Sequence, residues 1–144
     1  DIQHKEVWKM HLDEDNNDRS YLFGRLLAYA RKTEEMALYY GGASPRFTNA
    51  EQMEMMFSRK PMTTYELLFK KLKPYFRRLK SRTTYYEMEM QSLLDRLYVA
   101  GYDNRPLSPL YLVGYSSQMM KFWEKKDSKN SENTPDTPDN TEEN

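Results

Sequence analysis

Between Asp18 and Trp123, apolar residues recur at intervals of three, four and seven, the spacing that sets side chains on one face of an α-helix. Five stretches show it. In the first, Asp18 is placed to cap a stripe of Leu22, Phe23, Leu26, Leu27, Ala30, Ala37 and Leu38, and Gly41-Gly42 is a stop signal. Thr48 and Glu51 have the spacing of a capping box and open a short second helix expected to bury Met53, Met56 and Phe57. Thr63 and Glu66 repeat that spacing ahead of Tyr65, Leu68, Leu72, Tyr75, Phe76 and Leu79. Pro74 should kink or break this third helix, because proline lacks an amide hydrogen and crowds the carbonyl four residues back. Thr84 and Glu87 repeat the capping pattern for a helix carrying Tyr86, Met90, Leu93, Leu94 and Leu97, and Gly101 closes this fourth helix. Ser108-Pro109 prepares the first turn of a fifth, with Leu112, Val113, Tyr115, Met119, Met120 and Trp123 along one side. No stretch alternates with the period of a strand. The expected fold is all-α, an irregular bundle of about five helices.

The ends differ from this centre. Residues 1–17 hold Val7, Trp8, Met10 and Leu12 with weak periodicity, and are expected to form a short extended arm laid on the core. Residues 127–144, "DSKNSENTPDTPDNTEEN", contain no hydrophobic residue and two prolines, so they read as a disordered acidic tail. The helical bundle domain then spans 18–126.

Two helical glycines stand in similar settings, "YLFGRLLAYA" from Tyr21 and "YLVGYSSQMM" from Tyr111. Glycine in a helix interior costs about 1 kcal/mol relative to alanine, so a close backbone approach is implied at each. Gly24 flanks the apolar stripe, with Ala28 and Arg31 beside it, and close packing of neighbouring helices accounts for it. Gly114 falls opposite the apolar side of its helix, on a strip with Ser117, Gln118 and Lys121. That strip is expected to point away from the bundle, where Gly114, Ser117 and Gln118 would meet a partner backbone or a phosphate chain.

The balance of 22 acids and 22 bases conceals a division. From Asp127 on, Lys129 is the single base among six acids, so the rest of the chain is basic. Between Arg59 and Arg82 nine bases face one acid, Glu66. Lys70, Lys73, Arg77 and Lys80 recur along one flank of the third helix, with Lys71 and Arg78 on the other and Arg82 just beyond. A solubilising face interleaves both signs, whereas this one is almost purely cationic, the pattern of a phosphate-binding surface. Arg31 and Lys121, on the glycine-bearing helices, are added as further phosphate contacts.

Catalytic chemistry is not expected. His4 and His11 are isolated, and the calcium-loop beginning at Asp13 lacks the glycine and glutamate it would need at Asp18 and Gly24. There is no glycine-rich phosphate loop, nucleophile elbow or HExxH sequence. Glu34 with Glu35, and Glu87 with Glu89, read as exposed helix carboxylates. The absence of cysteine fits a reducing compartment, and no apolar run approaches the ~20 residues of a membrane span, so a cytoplasmic protein is expected.

The stretches "DRSYLFGRLLAYARKTE" from Asp18, "FTNAEQ" from Phe47, "FSRKPMTTYELL" from Phe57, "KLKPYFRRL" from Lys71 and "LSPLYLVGYSSQ" from Leu107 resemble, in order and spacing, a known region. It is the C-terminal helical region of the large subunit of subtype I-C CRISPR effector complexes. In that family the region is also made separately, by internal translation, as the small subunit of the RNA-guided surveillance complex Cascade. The resemblance covers roughly 12–119 and departs at Ser116 and Ser117, where the family favours an aromatic residue and histidine. It implies a non-catalytic subunit without cofactor or small-molecule substrate. Such a subunit packs on the backbone and large subunits and on further copies of itself, and holds the R-loop through the displaced, non-target DNA strand. The alternative is a purely structural adaptor whose cations meet acidic patches of neighbouring subunits.

Overall fold

The computed structural model describes residues 11–43, 47–79, 81 and 83–133, with side chains to residue 124. Among these residues there are six helices and no strand: α1 Arg19–Tyr40, α2 Asn49–Gln52, α3 Glu54–Arg59, α4 Pro61–Leu79, α5 Thr84–Ala100 and α6 Leu110–Asn133. The all-α expectation holds. The predicted second helix divides at Met53 into α2 and α3, with Phe57 buried but Met56 46% exposed.

Local chemistry sets most of the boundaries. Asp18 caps α1 by accepting a hydrogen bond from the Tyr21 amide, and past the end of the helix Gly42 takes φ 75°, open to glycine at little steric cost. Thr48 and Glu51 close a full capping box on α2. Ser108 Oγ accepts from the Leu110 amide at the start of α6. The Thr63–Glu66 box does not form. Pro61, whose missing amide hydrogen is no loss in a first turn, starts α4 two residues earlier, and Thr63 instead exchanges hydrogen bonds with Asn104 of 2.9 and 2.8 Å. Likewise α5 begins at Thr84 itself. Pro74 lies inside α4 without dividing it, on the exposed side. The last helix continues through 127–133, which the sequence assigns to the tail. Residues 1–10 of the arm and 134–144 of the tail lie outside the described residues.

The hub is α1, which packs against α6, α5, α4 and α2. From Ser20 to Ala30 every one of its residues is buried, as a helix surrounded on all sides requires. Leu22, Phe23, Leu26 and Leu27 are fully covered, joined by Phe57, Leu68, Leu72, Met90, Leu93, Leu97 and Met119. Phe23 packs edge-on to Phe57 with centroids 5.8 Å apart, and Tyr29 edge-on to Phe122 at 5.0 Å.

The two glycines explain each other. A Cβ on Gly24 would overlap the Tyr111 carbonyl oxygen and stand 2.7 Å from the Tyr115 nitrogen, and one on Gly114 would overlap the Tyr21 carbonyl group. Gly24 therefore behaves as its close-packing expectation states, whereas the outward orientation of Gly114 is corrected. Gly114, Ser117 and Gln118 face inward against α1, so their predicted exposure to a partner does not arise from this surface. Arg25, 4% exposed, donates from Nε to Gln118 Oε1 at 2.8 Å. Tyr21 meets Gly114, Arg25 meets Gln118 and Tyr29 meets Phe122, so α1 and α6 run parallel. The apolar side of α6 divides: Tyr115 and Met119 are buried, while Leu112, Val113, Met120 and Trp123 turn to solvent. Backbone contact at two glycines selects the face with the smallest residues, and that selection outweighs the hydropathy of the other side.

Candidate nucleic-acid interface

Helix α4 presents the basic surface. Tyr65, Leu68, Leu72, Phe76 and Leu79 bury one side of it, and the rings of Tyr65, Phe69 and Phe76 pack in sequence, tilted against each other, with centroids 5.8 and 5.6 Å apart. Anchored in this way, and tied at its start by the Thr63–Asn104 pair, the helix exposes Lys70, Lys71, Lys73, Arg77 and Arg78 together. At 1.5 Å per residue, the run from Lys70 to Arg78 covers about 12 Å of axis. Lys80 and Arg82 lie outside the described residues.

Charge pairing separates these cations from Arg19, Arg31 and Arg105. Among the described residues, no ion pair involves Lys70, Lys71, Lys73, Arg77 or Arg78. Arg78 lies over the Tyr75 ring, 5.2 Å from its centroid, a contact that steadies the guanidinium without neutralising it. Glu66, the one acid of this stretch, accepts a hydrogen bond from Tyr102 at 3.3 Å. By contrast, Arg19 reaches Asp103, and Arg31 is held by Glu35 at 2.9 Å, by Glu51 at 3.4 Å and by the Tyr115 hydroxyl at 2.7 Å. Arg31 is thus committed to joining α1, α2 and α6, which corrects its assignment as a free phosphate contact. Lys121 is exposed, but on α6 rather than on the basic helix. The arrangement can neutralise a run of phosphates.

A family model described as CRISPR-associated protein (Cas_Csd1) matches residues 1–123. The chain belongs to this family. The match takes in α1 to α5 and the first half of α6, so both the glycine crossing and the basic face of this Csd1-family chain lie within it. None of the curated proteins matches the chain. Among the described residues, no helix is long and apolar enough to cross a membrane.

Several side chains that position these elements carried no signal in the sequence. Arg19 donates to the carbonyls of Gly101, Asp103 and Arg105 and to the Asp103 carboxylate, clasping the loop between α5 and α6. Gly101, at φ 132°, is the turn that brings this loop under the guanidinium. Hydrogen bonds from the Arg105 side chain and backbone, with the Arg19 charge beside them, hold the Asp103 carboxyl down at about 2. Arg96 reaches across to Asn17 and to the carbonyls of Glu14 and Asn16, fixing the segment ahead of α1. Glu34, expected to be exposed, is fully buried and accepts from the Asn49 amide and side chain at 2.9 and 3.0 Å, which seats α2.

Proposed function

We propose that this Csd1-family chain is the non-catalytic small subunit of a type I-C Cascade complex, and that α4 lies along the phosphate backbone of the R-loop, mainly on the displaced non-target strand. The carrying observation is the set of five exposed α4 cations with no ion pair among the described residues, on a helix anchored by a buried aromatic face. Such a surface attracts a polyanion without choosing a sequence, as a subunit must when base pairing to a guide RNA supplies the specificity. Membership of a CRISPR-associated family supplies the setting.

The test is charge reversal. Lys73→Glu with Arg77→Glu, both exposed, should leave helix content and melting temperature unchanged and remove photocrosslinks between the chain and the displaced strand in the assembled complex. Two lost phosphate contacts should also flatten the salt dependence of single-strand binding by roughly 1.4 in log–log slope. If the reversed chain instead drops out of the complex, the cations serve a neighbouring subunit and the adaptor reading replaces this one. As a non-catalytic subunit, the purified chain should leave single- and double-stranded DNA intact when incubated with magnesium or manganese.

A further inference from the structure

The outward side of α6 is apolar where a solvated helix would be polar. Leu112, Val113, Met120 and Trp123 are 53%, 36%, 36% and 50% exposed, while the same helix buries Gly114, Ser117 and Gln118. From Pro106 to Met120 there is not one charged residue. Charge enters only at the Trp123 end, where Lys121 and Glu124 are exposed, so most of the stripe offers a partner apolar surface rather than ion pairs. Val113, Ser116, Met120 and Trp123 follow one another at steps of three, four and three. That is the seven-residue seam on which a second helix packs knobs into holes, and Ser116 at its middle lets the second axis come near.

We infer that this seam is the seat of an apolar α-helix from another protein subunit of the complex. The exposed apolar area of the stripe is on the order of 400 Å², about half of the roughly 800 Å² each side contributes to a standard stable interface. A seam of that size does not hold two free copies of the chain together. It holds a helix that other contacts have already brought alongside, because tethering converts a weak contact into an intramolecular one. The inference rests on the chain being a complex subunit, and it is independent of any contact between α4 and DNA.

Trp123 is the reporter. With Trp8→Phe it becomes the one tryptophan in the chain. The full chain, carrying 5-hydroxytryptophan at this position so that it is excited apart from the tryptophans of other subunits, is assembled with its companion CRISPR-associated subunits and guide RNA and compared with the free chain by acrylamide quenching and native mass spectrometry. Incorporation should lower the quenching constant several-fold and shift the emission to shorter wavelength. Val113→Lys with Met120→Glu should preserve the helix content and melting temperature of the free chain and reduce its share of the complex at least tenfold. Equal quenching in free and assembled chains, or full incorporation of the double variant, overturns the inference. So does a free wild-type dimer that the double variant dissociates, since the seam then belongs to a second copy. The Lys73→Glu, Arg77→Glu chain should join and protect Trp123 whether or not it still touches DNA, which separates the two readings. Failure of the wild-type chain to join at all overturns the subunit reading and this one with it.

Discussion

A single methyl group tests the crossing of α1 and α6. Gly24→Ala and Gly114→Ala each press a Cβ into the backbone of the other helix, where no side chain can rotate away. Each should lower stability by about 1–3 kcal/mol in urea unfolding. The pair should fall short of additivity, since both changes force open the same contact. Elsewhere on α6, alanine at an exposed position such as Leu112 should change little. The Asp103 clasp gives a second test. Because this carboxyl titrates lower in the folded chain than its ordinary value of 3.8, its contribution is complete above that value and disappears as the pH falls through about 2. Carboxyl-carbon NMR should place the midpoint near 2 in wild type, and Arg105→Ala should move it toward 3.8.

At the scale of the element, helix ends were legible wherever the cap is local. The Thr48–Glu51 box, the Asp18 cap and the Ser108 turn each link residues two or three apart, so the chain states them directly. Thr48→Ala should accordingly cost about 1 kcal/mol, measured against wild type by thermal unfolding. The same Thr-x-x-Glu spacing at Thr63 misled, because Pro61 fixes the earlier start and Asn104, 41 residues away, takes up the threonine. The orientation of α6 was illegible for a different reason. Hydropathy ranks leucine, valine, methionine and tryptophan above glycine, serine and glutamine, yet the tightest packing available to α1 lay on the small side. The basic face of α4 was readable because its cations and its apolar anchors share one helical period.

For the whole molecule, α1 is the axis on which α2, α4, α5 and α6 are hung. Truncating a fully covered residue there, as in Leu26→Ala, should cost about 2–5 kcal/mol and weaken the packing of α4, α5 and α6 together, seen as a single lowered transition rather than local fraying. Roles such as those of Arg19, Arg25 and Arg96 could not be inferred in advance. Their partners lie 79 to 93 positions along the chain, a separation that pattern reading within a window does not span. Arg25 and Gln118 are 93 residues apart and meet where the first long helix touches the last. A ribosome therefore releases α1 on the order of ten seconds before the segment that will shield it has been made. Through that interval the side of α1 that α6 will cover stays open in a crowded medium, and a nascent chain halted after Arg105 should be found in the grip of chaperones.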